Sequence, residues 1–201
     1  MRGDNVEENL DTQKNILRSA RQLFIKNGFH ETSMSDVAKK ADVGKGTLYW
    51  HFSSKKELFI DVIKEEGKKN VSELREILKG DEPPDKKLKR FITYSIDKII
   101  KKKDETQMFL NNEYYIDQDF KDAVLNSFFS VVEEVDQIIK AGIEEEVFTN
   151  RDTKKTSIAV IGAINFMGTL IWDEEKMERE KIIDFLYSFI ADGIISNQGR
   201  V

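Results

Sequence analysis

Apolar residues recur at three- and four-residue steps along most of the chain, and that spacing predicts helices nearly end to end. Ile16, Ala20, Leu23 and Phe24 share one face of a helix over Thr12–Asn27, with Thr12 as its cap and Asn27-Gly28 as its stop. Met34, Val37, Ala38 and Ala41 form the inner stripe of a second helix, where Ser33 is the cap and Asp36 completes a capping box. Asp42-Val43-Gly44 leaves room only for a tight turn. A short third helix covers Lys45–His51, with Leu48 turned inward beside Val43 and Phe52. Ser54 and Glu57 make a second capping box for a helix that reaches about Lys79, and Gly80–Pro84 breaks it.

The same periodicity continues beyond the break. Asp85–Lys103, a short Glu105–Asn111, Gln118–Val147, Thr153–Trp172 and Met177–Ser196 all read as helices, with a turn at Thr149–Asp152. No strand-like alternation runs longer than a few residues. The expected fold class is all-α, with a three-helix head carrying a helix-turn-helix over 12–58 and a helical body over 59–201.

Composition narrows this picture. Two prolines and eleven glycines in 201 residues argue against a turn-rich β protein. The absence of cysteine excludes disulfides, thiolate zinc sites and a cysteine nucleophile, and fits a reducing cytoplasm. Residues 1–11 are polar and acidic and lack the apolar run of an export signal. Thr156–Trp172 is uncharged but short for a bilayer crossing and contains Asn165, so no membrane association is expected.

The net charge of −5 looks unfavourable for a nucleic-acid partner until it is divided along the chain. Thr12–Leu58 holds nine Lys/Arg against four Asp/Glu, residues 1–11 one Arg against four acids, and the remainder carries −7. A basic head on an acidic body would steer one end toward DNA.

The third helix supplies the chemistry. At 100° per residue, Gly46 and Trp50 lie nearly opposite Leu48, flanked by Lys45, Thr47 and Tyr49. Lys45 can donate to guanine or phosphate, Thr47 offers a hydroxyl and a methyl, and Trp50 can pack against thymine methyls or sugars. Gly46 would let the backbone approach a duplex. Tyr49, His51 and Lys55 carry donors suited to phosphate oxygens. Lys45, Lys55, His51 or Tyr49 alone is an ordinary surface or core residue, whereas an outward Trp50 is harder to dismiss; the set within a basic segment between capped helices points to double-stranded DNA.

Thr32-Ser33-Met34, Asp36-Val37-Ala38, Gly46-Thr47-Leu48-Tyr49, His51-Phe52 and Lys55-Lys56-Glu57-Leu58, preceded by Ala20-Arg21-Gln22-Leu23-Phe24 and Gly28-Phe29, resemble the DNA-binding head of the tetracycline-repressor-like (TetR) regulators. The resemblance covers roughly residues 12–60. It implies that Lys45, Thr47 and Trp50 face bases, and that Thr32, Ser33, Tyr49, His51 and Lys55 hold phosphates. Two positions depart from the family pattern. Asp42 stands where a glycine often takes a positive φ, and Gly44 replaces the serine that caps the recognition helix, a change of a few tenths of a kcal/mol.

The body fits the family expectation of a homodimer with a small-molecule effector. Ile161, Ile164 and Gly168, with Leu186, Phe189 and Ile190, are the expected seam between two copies. Phe91, Tyr94, Phe109, Tyr114, Phe128 and, if buried, Asn165 are the expected lining for a hydrophobic or aromatic effector. The expected activity is repression from a palindromic operator, relieved by that effector. The alternative is a DNA-binding architectural or protein-interaction module without an effector. Enzymatic chemistry finds little support. His30 and His51 are the only histidines, no HExxH or glycine-rich phosphate loop is present, and Glu113, Asp117 and Asp119 read as a solvated turn. No metal and no cofactor are expected.

Overall fold

The computed structural model describes residues 2–101, 118–149, 151–170 and 178–194. Among the described residues it contains eight helices: α1 (Arg2–Glu31), α2 (Met34–Lys40), α3 (Lys45–His51), α4 (Lys55–Ile77), α5 (Pro84–Lys101), α6 (Gln118–Glu144), α7 (Thr153–Leu170) and α8 (Arg179–Ile194). The fold is all-α. The short helix expected over Glu105–Asn111 lies outside the described residues. The chain divides into two compact units, one from Met1–Lys68 and Asp104–Ser127, the other from Lys69–Lys103 and Phe128–Val201.

The first unit buries the apolar stripes of α1–α3 around Ile16, Leu17, Ala20, Phe24, Val37, Ala38, Leu48 and Phe52. Helix α1 is longer than its apolar face requires, starting at Arg2 rather than Thr12 and running through Gly28 to Glu31. Gly28 takes φ 82°, which breaks the helical path there and turns Phe29 back into the core. Phe29, Phe24 and Phe59 then meet with ring centroids 4.9–5.8 Å apart. Such contacts add about 0.5–1.5 kcal/mol per pair beyond the area they bury.

Helix α2 starts at the capping box expected of Ser33 and Asp36 and closes in a Schellman motif. The Val43 N–H reaches the Ala38 carbonyl at 3.0 Å, the Asp42 N–H reaches Lys39 at 3.3 Å, and Asp42 sits at φ 55°. A left-handed residue is what lets the chain reverse so quickly into α3, and aspartate holds that position here instead of glycine. Gly44 caps α3 with extended backbone and no side-chain hydrogen bond. The second capping box differs from expectation. Ser54 Oγ does accept from the Glu57 N–H, but the Glu57 carboxylate returns to the backbone and hydroxyl of Ser53, not Ser54.

The second unit packs α5, α7 and α8 with the described parts of α4 and α6 that belong to it. Its core includes Leu88, Phe91, Ile92, Ile96, Val132, Val135, Ile161, Ile164, Ile182, Leu186 and Ile190. Two glycines there permit close approach: a methyl at Gly168 would meet Ile99, and one at Gly142 would run into the Phe148 ring. Arg179 forks onto Asp97 at 2.5 and 2.7 Å, joining α5 to α8, and Arg75 pairs with the nearly buried Glu134.

Replacing Asp42 by glycine removes the left-handed strain at the turn. Asp42→Gly is expected to stabilise the protein by about 0.5–1 kcal/mol in urea or thermal unfolding.

Candidate nucleic-acid interface

Leu48 and Phe52 are fully buried, so the opposite side of α3 faces solvent. Lys45, Gly46, Thr47, Tyr49 and Trp50 are all exposed, Tyr49 by 53% and the Trp50 indole by 69%. An indole that open contributes little to its own fold and is available to a partner. Its ring meets the His51 imidazole edge-on at 4.7 Å. Burial pushes the half-covered His51 below its ordinary value, favouring the neutral imidazole. A methyl at Gly46 would touch nothing within 4 Å, so the intramolecular packing does not require glycine there.

Three residues expected to hold phosphates also make contacts within the chain. Thr32 is fully buried, and its hydroxyl donates to the Gly28 carbonyl at 2.8 Å. The Lys55 ammonium donates to the Phe29 and His30 carbonyls at 2.8 and 3.1 Å and lies 4.5 Å from the Phe29 ring centroid. Both side chains therefore donate to carbonyls at the kinked end of α1. Ser33 is exposed, but its hydroxyl is engaged with Asp36 as the α2 cap.

One residue that orders this surface was not singled out from the sequence. Asn15 donates from Nδ2 to the Ala41 carbonyl at 2.7 Å and ties α1 to the end of α2, just before the left-handed turn. Arg18 in turn donates to Asn15 Oδ1. The available signal was a polar residue at the border of the buried stripe, next to Ile16.

The body residues sort as clearly. Ile161, Ile164, Leu186 and Ile190 are buried within their own chain, and Gly168 accommodates Ile99. Within the single chain these residues are core. Phe189 alone of that set is open, at 63%, and Phe166, Phe185, Ile158 and Gly162 are exposed with it on α7 and α8. Among the expected effector residues, Phe91 is core and Phe128 packs at the core's edge. Tyr94 approaches the Glu73 carboxylate at 2.9 Å and receives Lys98 at 2.7 Å. Burial and the bond to Glu73 push its phenol well above the ordinary range. Asn165 is exposed, which removes it from an interior lining. Phe109 and Tyr114 lie outside the described residues. No described group of three or more His, Asp or Glu is arranged to hold a metal ion, and no described helix is long and apolar enough to cross a membrane.

These features meet the comparisons with known proteins. The description "Bacterial regulatory proteins, tetR family" matches residues 16–62, and "Tetracyclin repressor-like, C-terminal domain" matches residues 81–194. The chain belongs to the TetR family. Among curated relatives, the HTH-type transcriptional regulator UidR of Escherichia coli K12 is 33% identical over 98 residues, covering 48% of this chain and 46% of UidR. The chain thus spans about half the length of the curated relatives it first matches. Bacillus subtilis FadR, solved with stearoyl-CoA, has a TM-score of 0.75 at 19% identity, covering 90% of this chain and 98% of its own. A Saccharomonospora viridis protein solved with choline has a TM-score of 0.77 at 18% identity, covering 93% and 99%. Both share the TetR fold.

The capping carboxylates of this TetR head carry a pH dependence. Hydrogen bonds from the side chain and then the backbone of Ser33 hold Asp36 below its ordinary value, and Ser53 does the same for Glu57. A depressed native value means the stabilisation is complete above the unfolded value and is lost as pH falls through the folded one. Thermal stability is therefore expected to decline between about pH 5 and pH 3, and Asp36→Asn should flatten that decline.

Proposed function

We propose that this TetR-family protein is a ligand-responsive transcriptional repressor that binds a palindromic operator as a homodimer. The observation that carries the reading is the solvent side of α3, where Trp50 lies opposite the buried Leu48 and Lys45, Thr47 and Tyr49 are exposed with it. In the major groove, Lys45 would donate to guanine or phosphate, Thr47 would offer hydroxyl and methyl contacts, and Trp50 would lie on thymine methyls or sugars. Tyr49 and His51 would reach phosphate oxygens. The surplus of basic residues over 12–58 supplies the sequence-independent part of the attraction.

One head reads few base pairs, so a twin copy is part of the proposal. The face suited to it is the exposed apolar side of α7 and α8: Ile158, Gly162 and Phe166, with Phe185 and Phe189. The Phe185 and Phe189 rings stack at 6.2 Å and 12°, giving a flat apolar surface on α8. Aromatic area of this kind at the surface favours association.

The effector is proposed to be hydrophobic or aromatic and to act through the body around Phe91, Tyr94 and Phe128. Proteins sharing the fold hold ligands as unlike as stearoyl-CoA and choline, so the fold leaves the ligand's identity open. The ligand would lower DNA affinity only by its preference for the released state.

Selection of bound duplexes from a random pool is the direct test. Recovery of a two-fold symmetric sequence is expected; no preference over competitor DNA would refute the reading. Gly46→Ala separates folding from recognition. It should raise stability by up to about 1 kcal/mol, because alanine favours the exposed helix, while weakening operator binding by crowding the groove. Phe189→Glu should shift the protein to a monomer in analytical ultracentrifugation and weaken operator binding without unfolding the chain. Leu186→Ala should instead lower stability by about 2–5 kcal/mol.

A further inference from the structure

Arg21, Arg75, Arg90 and Arg179 each pair with a carboxylate of their own chain. Arg18 on α1 does not. Among the described residues its exposed guanidinium donates from Nη2 to Asn15 Oδ1 at 2.9 Å, and Nε and Nη1 have no partner there. Asn15 is itself held, because its Nδ2 donates to the Ala41 carbonyl at 2.7 Å. The guanidinium is thus anchored, through Asn15, to the end of α2. Lys14 lies one turn earlier on the same face of α1, and Lys40 is the last residue of α2. Both are exposed, and among the described residues neither forms an ion pair. We infer that Arg18 is a phosphate-binding residue of the head, a DNA contact outside α3 that Asn15 holds in position. This rests on the reading of α3 as the DNA-contacting helix.

Ala41 is followed by Asp42, Val43 and Gly44 and then by Lys45, the first residue of α3. When a helix-turn-helix docks, the start of its second helix meets base edges and its first helix crosses the sugar-phosphate backbone, so the junction between them lies at the rim of the groove. The Asn15 bond brings α1 to that junction, and Arg18 comes with it. A guanidinium is a planar fork suited to phosphate oxygens, and one already oriented gives up less rotamer freedom on binding. Asp42 is the acid next to Ala41 in the chain; it is exposed, and among the described residues it forms no ion pair with Arg18. A phosphate contact carries no base preference of its own: it fixes the register of the head on the duplex and adds affinity for any sequence.

Salt dependence and ethylation of single phosphates test the assignment together. Each phosphate neutralised contributes about 0.9 to the slope of log affinity against log salt, so two heads on a two-fold operator make about 1.8. Arg18→Gln is expected to weaken operator and non-operator binding by a similar factor and to flatten the slope by about 1.8. Ethylation of one phosphate in each half-site, which blocks the wild-type protein, should no longer block this variant. Asn15→Ala keeps the charge and should weaken binding with the slope retained. Arg151→Gln, which removes an exposed arginine of the body, should change neither slope nor ethylation pattern. An unchanged ethylation pattern for Arg18→Gln would overturn the inference even if the slope fell, because the slope alone reports the charge of the head. If Arg18→Gln does not fold, the wild-type Arg18 Nε–H decides: it should exchange fast in the free protein and become protected on the operator, and continued fast exchange in the complex would overturn the contact. A wild-type protein that prefers no duplex ends the reading of α3 and this one together; selective binding with the ethylation pattern unmoved ends only the role of Arg18.

Discussion

Within α3, Leu48 is the side chain that enters the core, and the helix is only seven residues long. Its burial, continued by Phe52 at the cap, sets the rotation of α3 about its axis, because a helix this short has no second stripe to compete. Once Leu48 points inward, the 100° step forces Gly46 and Trp50 outward and places Lys45, Thr47 and Tyr49 beside them. A different anchor would turn another set of side chains to solvent. The exposed set on α3 is thus a consequence of one apolar contact and helical geometry.

The surrounding contacts hold that rotation in space. Asn15 grips the last carbonyl of the second helix, the left-handed Asp42 makes the reversal, and Thr32 and Lys55 finish the interrupted end of the first helix. Polar side chains that read as ligand contacts in the sequence also bond backbone groups of their own domain. A backbone carbonyl left without a donor costs about as much as a lost hydrogen bond, so a head whose helices are joined by three short connections uses nearby hydroxyls and ammonium groups for this purpose.

The body shows the same competition between inward and outward faces. Helices α7 and α8 are apolar over more of their circumference than one core requires. Ile161, Ile164, Leu186 and Ile190 supply the chain's own interior, while Phe166, Phe185 and Phe189 stay open on other faces. Close helix approach at Gly168 serves the internal contact with Ile99, so a small residue in an apolar helix was no guide to which side meets a partner.

Local pattern alone determined the helical class, the helix-turn-helix with its Ser33–Asp36 cap, and the outward set on α3. These depend on interactions within a few residues: periodicity, capping spacing and the 100° step. The true start of α1, the transfer of Glu57 to Ser53, the inward use of Thr32 and Lys55, and the division of α7 and α8 into core and open faces were decided by tertiary structure. The reason is physical. An apolar face or a polar donor is written in the residue, but its partner is chosen by what folding brings near it, and Lys55 meets the Phe29 carbonyl across 26 residues of chain.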